Sequence, residues 1–202
     1  PANQFQRMNF LAHSYLSGNN PKILVGNFIG DFVKGRGLHD RFDAAIANGI
    51  ELHRMIDSYT DSHPVVMESK IRLREKYRHY APVIVDMYYD HFLAAKWSTY
   101  HPLPLAEFAS NTYQVLQSNM DILPDKLQHM LPYMMHGNWL VNYGKVEGLQ
   151  RALTGMSRRT SFNSKMEDAV NDLRKYYQEF GDEFEFFFPD LVRYSKAEIE
   201  KF

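Results

Sequence analysis

Apolar residues recur three and four apart through most of the chain, and few stretches show the strict alternation or β-branched enrichment of strands. That periodicity predicts an all-α fold, a single-domain helical bundle. Segment 22–33 (KILVGNFIGDFV) predicts a short helix ended by Lys34-Gly35-Arg36-Gly37, with Asp31 in its last turn. Phe42, Ala45, Ile46, Ile50, Ile56 and Thr60 predict a long helix over 40–61. Ser62-His63-Pro64 stops it, because the residue before a proline avoids the α region. Asp40 reads as its N-cap.

Pro64 and Pro82 read as first-turn prolines, where the missing amide costs nothing, of helices running to about Tyr80 and Tyr100. Further helices are expected over 105–120, 124–135 and 146–156, separated by Asp121, Pro132, Gly137 and Gly144, and over 163–180. The stretch EFEFFFPDL (183–191) alternates briefly and reads either as a strand or as an aromatic tail over a helical groove. Residues 1–7 read as an extension or an expression remnant, leaving 8–202 as one helical domain without repeats or linkers.

Composition narrows the chemistry. The 202 residues include no cysteine, which excludes disulfides, thiolate metal sites and a cysteine nucleophile, so any metal must sit on nitrogen and oxygen. With 23 basic and 24 acidic residues the chain lacks the broad positive surface that grips nucleic acid. The first residues do not resemble a signal peptide, and no run approaches the ~18 apolar residues of a membrane span, so a cytoplasmic protein with no membrane partner is expected.

Several charged residues interrupt apolar helix faces. His53 and Asp57 are four apart, so both side chains leave one face one turn apart, and Asp61 extends the row. Asp86 and Asp90 repeat the spacing, and His91 follows Asp90 at once, among Met87, Tyr88, Tyr89, Phe92 and Leu93. His13 ends the apolar run Phe10-Leu11-Ala12, and Asp31 sits among Phe28, Ile29, Phe32 and Val33. An isolated His/Asp pair is usually a surface ion pair worth ~0.3–0.5 kcal/mol. Acids in apolar surroundings, however, are costly unless paired or metal-bound. Such a His and Asp set suits Mn²⁺, with Mg²⁺ or another divalent cation as alternative. The doublet His39-Asp40 is set aside, and the phosphate loop, dinucleotide fingerprint, HExxH helix and nucleophile elbow are all absent. Lys34, Arg36, Arg41 and Arg54 form a basic cluster, and the run Lys70, Arg72, Arg74, Lys76 and Arg78 reads as a solvated helix face or as a docking surface for an acidic protein.

Met8-Asn9-Phe10-Leu11-Ala12-His13, Gly26-Asn27-Phe28-Ile29-Gly30-Asp31-Phe32-Val33-Lys34-Gly35, His53-Arg54-Met55-Ile56-Asp57, Thr60-Asp61 and Asp90-His91-Phe92-Leu93 together resemble the acyl carrier protein phosphodiesterase family. Order and spacing agree across residues 8–97, and the remainder agrees only in length and helical character. The resemblance implies a distorted, all-helical relative of the histidine/aspartate phosphohydrolases that uses Mn²⁺ to remove 4'-phosphopantetheine from holo acyl carrier protein. It implies His13, Asp31, His53, Asp57, Asp90 and His91 as metal ligands, with Asp31 foremost, and a proton-handling role for His91 or Asp61. Lys34, Arg36 and Arg54 would meet the acidic carrier protein. Some members carry a second histidine two positions after His13; here that position is Tyr15, which cannot supply an imidazole. Two rival expectations remain: a hydrolase of a nucleotide or other small phosphoester using the same ligands, and a non-catalytic helical module that binds carrier protein.

Overall fold

A computed structural model describes residues 9–160 and 162–202, so the reading of residues 1–7 lies outside the described residues. No strand occurs among the described residues. The all-α expectation holds. The chain folds as α1 (Phe10–Tyr15), α2 (Pro21–Ile29), α3 (Ala44–Ser62), α4 (Pro64–Tyr77), α5 (Ala81–Ala95), α6 (Trp97–Tyr100), α7 (Leu105–Gln117), α8 (Asp125–His136), α9 (Trp139–Asn142), α10 (Val146–Ser157), α11 (Ala169–Lys175) and α12 (Tyr177–Ile199). Short 3-10 turns cover Gly30–Phe32 and Leu38–Asp40. No described helix is long and apolar enough to cross a membrane.

Local signals account for most boundaries. Asn20 accepts from the amides of Lys22 and Ile23 and so starts α2, with Pro21 in its first turn. Pro64 and Pro82 open α4 and α5 as expected. The N-cap of α3 is Asp43, whose Oδ1 accepts from Ala45 at 3.1 Å. Asp40 instead lies in the preceding 3-10 turn, because the glycine-rich 35–37 segment delays the start of α3. Asp31 falls in the 3-10 turn after α2 and not in the helix itself.

Other expectations need correction. The helix from Pro82 stops at Ala95, and α6 restarts after Lys96. Pro132 does not separate helices. It sits on the exposed side of α8, where the carbonyl it leaves without a donor can reach water. The helix expected over 163–180 breaks at Tyr176, and α12 then runs straight through 183–191. Phe180, Phe184, Phe187, Phe188 and Leu191 are buried, a helical spacing, whereas Phe186 is exposed. The run of three phenylalanines had obscured that period.

One buried apolar cluster extends from Phe10 to Leu191. Its closest crossing joins α2 to α3. A β-carbon on Gly26 would lie 2.1 Å from the Ile46 carbonyl oxygen, and one on Gly49 2.3 Å from that of Ile23. Only glycines let these backbones touch, and this contact brings the C-terminal end of α2 alongside the histidine of α3.

Candidate metal centre

His13, Asp31, His53 and Asp57 come together from three elements. Phe10 stacks on Phe28 with ring centroids 4.7 Å apart, which lays α1 against α2 and turns His13 inward. Gly30 makes room for the second histidine, since a β-carbon there would lie 2.2 Å from His53 Cγ. The His13 and His53 rings stack at 3.9 Å with 17° between their planes, and both side chains are almost fully buried.

Asn27 orients both rings. Its Nδ2 donates to the His13 carbonyl at 2.9 Å and to Ser17 Oγ at 3.0 Å, and a carbonyl can only accept, so Asn27 Oδ1 is the face presented to His13 Nδ1 at 2.7 Å. The Asn27 backbone oxygen lies 2.7 Å from His53 Nδ1. Each Nδ1 therefore carries a hydrogen and donates it, and in the neutral ring each Nε2 carries a lone pair. Among the described residues neither buried Nε2 has a hydrogen bond.

Both lone pairs face carboxylates. His13 Nε2 lies 3.3 Å from Asp57 Oδ1, and His53 Nε2 lies 3.6 Å from Asp57 Oδ2 and 3.5 Å from Asp31 Oδ1. These separations exceed the ~2.7–2.9 Å of a charge-assisted hydrogen bond. They lie at or just beyond the spacing of ligand atoms around one ion, since two donors each ~2.1 Å from a cation and about 90–109° apart stand roughly 3.0–3.4 Å from each other. His13, His53 and Asp57 each offer an atom within 4.8 Å of the others, a group that could hold a metal ion, and Asp31 adjoins it through His53. Burial lowers the His13 pKa, helped by the adjacent His53. Burial also pulls on His53, but Asp31, Asp57 and the Asn27 carbonyl outweigh it and leave that pKa raised. Two imidazoles in contact cannot both take a proton cheaply, whereas a divalent cation held by His13, His53 and Asp57 would be compatible with both rings staying neutral.

The remaining expected ligands are held elsewhere. Asp90 is fully buried, and its two oxygens accept from the amides of Leu11 at 2.9 Å and Ala12 at 2.8 Å, so it fastens the first turn of α1. His91 Nδ1 donates to the Tyr143 carbonyl at 2.8 Å, which leaves Nε2 to accept from the Tyr177 hydroxyl at 2.9 Å. Asp90 and His91, expected as ligands, do not join the group of His13, His53 and Asp57, and their polar atoms bond the framework. Asp90 acts instead as a positioning residue, holding the helix that carries His13. Asp61 lies one turn beyond Asp57, partly exposed, and accepts from Lys70 Nζ at 2.7 Å.

Burial pushes the Asp90 carboxyl up to about 8, against the downward pull of the Ala12 and Leu11 amides. Between the ordinary carboxyl value of 3.8 and about 8, the folded chain thus holds a proton that the unfolded chain has released. Stability therefore falls as pH rises through that window. Asp90→Asn should flatten the decline: melting temperatures measured from pH 5 to 8 should drop less steeply than in wild type, and parallel slopes would refute the assignment.

The basic clusters also divide. Lys34 and Arg36 are exposed on the loop after Asp31. Arg54 donates to the carbonyls of Val33 at 3.2 Å and Gly35 at 3.0 Å, and Arg41 to that of Lys34 at 2.9 Å, so these two clamp the loop. On α4 the solvated-face reading fails for Lys70, which is buried, and three of the cations are ion-paired. Lys70 meets Asp61, Arg72 forks onto Glu183 and Lys76 meets Asp172. Tyr15, in place of the second histidine, donates its hydroxyl to the Tyr100 carbonyl.

Sequence reasoning missed Asn27 and Gly30. Both lay inside the motif that carried the resemblance. An asparagine in an apolar helix must find buried partners, and that was the available signal.

Comparison with known proteins agrees with the motifs and extends them. A family model described as acyl carrier protein phosphodiesterase matches residues 8–191, well past residue 97 where the motif resemblance ended. The acyl carrier protein phosphodiesterase of Photorhabdus laumondii is 31% identical over 196 residues, 96% of this chain and 98% of its own length. Those of Klebsiella pneumoniae strain 342 and Escherichia coli O6:H1 are 34% and 35% identical, each over 92% of this chain and 96% of their own. No solved structure matches. A match across nearly the whole chain establishes that this chain belongs to the acyl carrier protein phosphodiesterase family.

Proposed function

We propose that this chain is a metal-dependent phosphoric diester hydrolase that releases 4'-phosphopantetheine from holo acyl carrier protein, leaving the apo carrier. One observation carries the metal dependence: two buried Nε2 lone pairs, oriented by Asn27, face the carboxylates of Asp57 and Asp31 at 3.3–3.6 Å. The names of the full-length relatives supply the substrate.

His13, His53 and Asp57 would hold the cation, with Asp31 beside His53 completing or bordering the set. A bound divalent cation, Mn²⁺ in our reading and Mg²⁺ as the alternative, supplies a water of lowered pKa and offsets charge on the phosphoryl oxygens. The water oxygen adds to phosphorus as the bond from phosphorus to the carrier serine oxygen breaks. The serine oxygen takes up a proton, and the products are a free phosphomonoester and the apo carrier. Asp31 and Asp61, both partly open to solvent, are the carboxylates able to take and return protons. His91 stays in the framework. Lys34 and Arg36 are the exposed cations next to Asp31 and are suited to the acidic partner or its phosphate. A cytoplasmic location accords with such a substrate.

Mass spectrometry of holo carrier protein incubated with the chain and Mn²⁺ tests the reading. The phosphopantetheine mass should be lost with metal, retained after chelation, and retained with Asp31→Ala. An unchanged carrier mass beside hydrolysis of a nucleotide would move the substrate to small phosphoesters. No turnover of either would leave a binding module.

A further inference from the structure

The cations of α4 are not treated alike by the fold. Lys70, Arg72 and Lys76 each meet a carboxylate. Arg74 and Arg78 form no ion pair among the described residues. They share a stripe with Met67 and Ile71, at steps of four, three and four residues, and both of these apolar side chains are exposed, at 41% and 54%. The stripe, with His79 and Pro82, lines an open groove of about 500 Å³. Glu68 and Glu75 stand on the neighbouring edge of α4 and do not line it.

Arg78 also holds a conformation that suits a different residue. Its φ of 51° with ψ of −122° is that of the first central position of a type II′ turn, normally glycine. A side chain is kept there against backbone strain, yet it makes no ion pair among the described residues. Its use therefore points outward.

One wall of the groove is tied to the helix that carries Asp57. Lys70, on its border, bonds Asp61, one helical turn along α3 from Asp57. From Met67 to Arg78 it runs roughly 16 Å at 1.5 Å per residue, about three turns of a helix. Its floor is aliphatic and its outer end doubly cationic. The complement is an amphipathic helix whose aliphatic stripe is bordered by carboxylates.

We infer that the groove along Met67, Ile71, Arg74 and Arg78 is the docking surface for an acidic amphipathic helix of the carrier-protein substrate, an inference that rests on the proposed activity. The groove receives the carrier body while the modified serine faces His13, His53 and Asp57.

Fluorescence anisotropy with labelled apo carrier protein, which has no bond to cleave, separates docking from turnover. Arg74→Glu/Arg78→Glu should weaken apo-carrier binding roughly 10- to 100-fold and raise KM for the holo carrier in step. Arg78→Gly should bind more weakly yet melt about 2–4 °C higher, since it relieves the strained φ. Those opposite shifts exclude misfolding as the cause. Unchanged apo-carrier affinity in the double variant, or no binding by wild type, overturns the docking surface. If wild type binds the apo carrier through these residues but releases no phosphopantetheine, the proposed activity fails and the docking surface stands.

Discussion

His53→Ala is expected to lower metal-dependent turnover by about 10³-fold or more and to abolish the rise in melting temperature that Mn²⁺ gives the wild-type chain. His53 is central to the cluster: its Nε2 lies close to both carboxylates, 3.5 Å from Asp31 and 3.6 Å from Asp57. Losing it removes one ligand and leaves the facing acids without the group that draws them together. Metal catalysis supplies several kcal/mol of transition-state stabilisation, and each 1.36 kcal/mol is a factor of ten in rate. A cation selective for the folded state raises stability by about 2.7 kcal/mol at a hundredfold excess over Kd. Chelation should reproduce the loss in wild type and change nothing further in the variant. A His53→Ala protein that keeps wild-type turnover and the Mn²⁺-induced shift would place the metal elsewhere.

Asn27→Ala is expected to weaken Mn²⁺ binding by about 10- to 100-fold, as loss of a residue that orients a ligand generally does. The side chain carries three buried bonds, to His13 Nδ1, the His13 carbonyl and Ser17 Oγ. Its removal should also cost at least about 1–3 kcal/mol of stability, the penalty for one buried partner left unsatisfied, because the partners stay buried. The backbone oxygen that receives His53 Nδ1 survives the substitution. The defect should therefore fall on His13, as a looser ring free to exchange its tautomer. Calorimetric titration with Mn²⁺ measures the affinity and thermal melting the stability. Unchanged affinity together with lowered stability would make Asn27 a purely structural residue.

The two substitutions also show where sequence reasoning succeeds and where it stops. His53 and Asp57 are four apart on a helix of unmistakable period, so their common face was legible from spacing alone. Asp90 and His91 gave the same local signal, polar groups on a helix buried on nearly every side. There the polar atoms meet two amides of α1, a Tyr143 carbonyl and a Tyr177 hydroxyl. A buried acid must be satisfied, but its own helix does not say whether an amide or a cation does so. The aromatic run 183–191 failed for another reason. A brief alternation followed by three consecutive phenylalanines hides the helical period, and only packing selected Phe184, Phe187 and Phe188 for the core and left Phe186 outside.

By itself, then, the sequence determined the helical character, the proline starts of two helices, the exclusion of sulfur chemistry and the His/Asp character of the candidate site. Each of these follows from interactions within a few residues or from the inventory of side chains. Tertiary structure alone decided which of the candidate acids face a histidine, because that depends on Gly26 and Gly49 letting α2 and α3 touch, on Gly30 admitting His53, and on Asp90 being taken up by α1. It also decided that Asn27 turns two lone pairs toward one point, since a ring nitrogen becomes a ligand only when its other nitrogen is held by a partner that the helix of the ring does not contain.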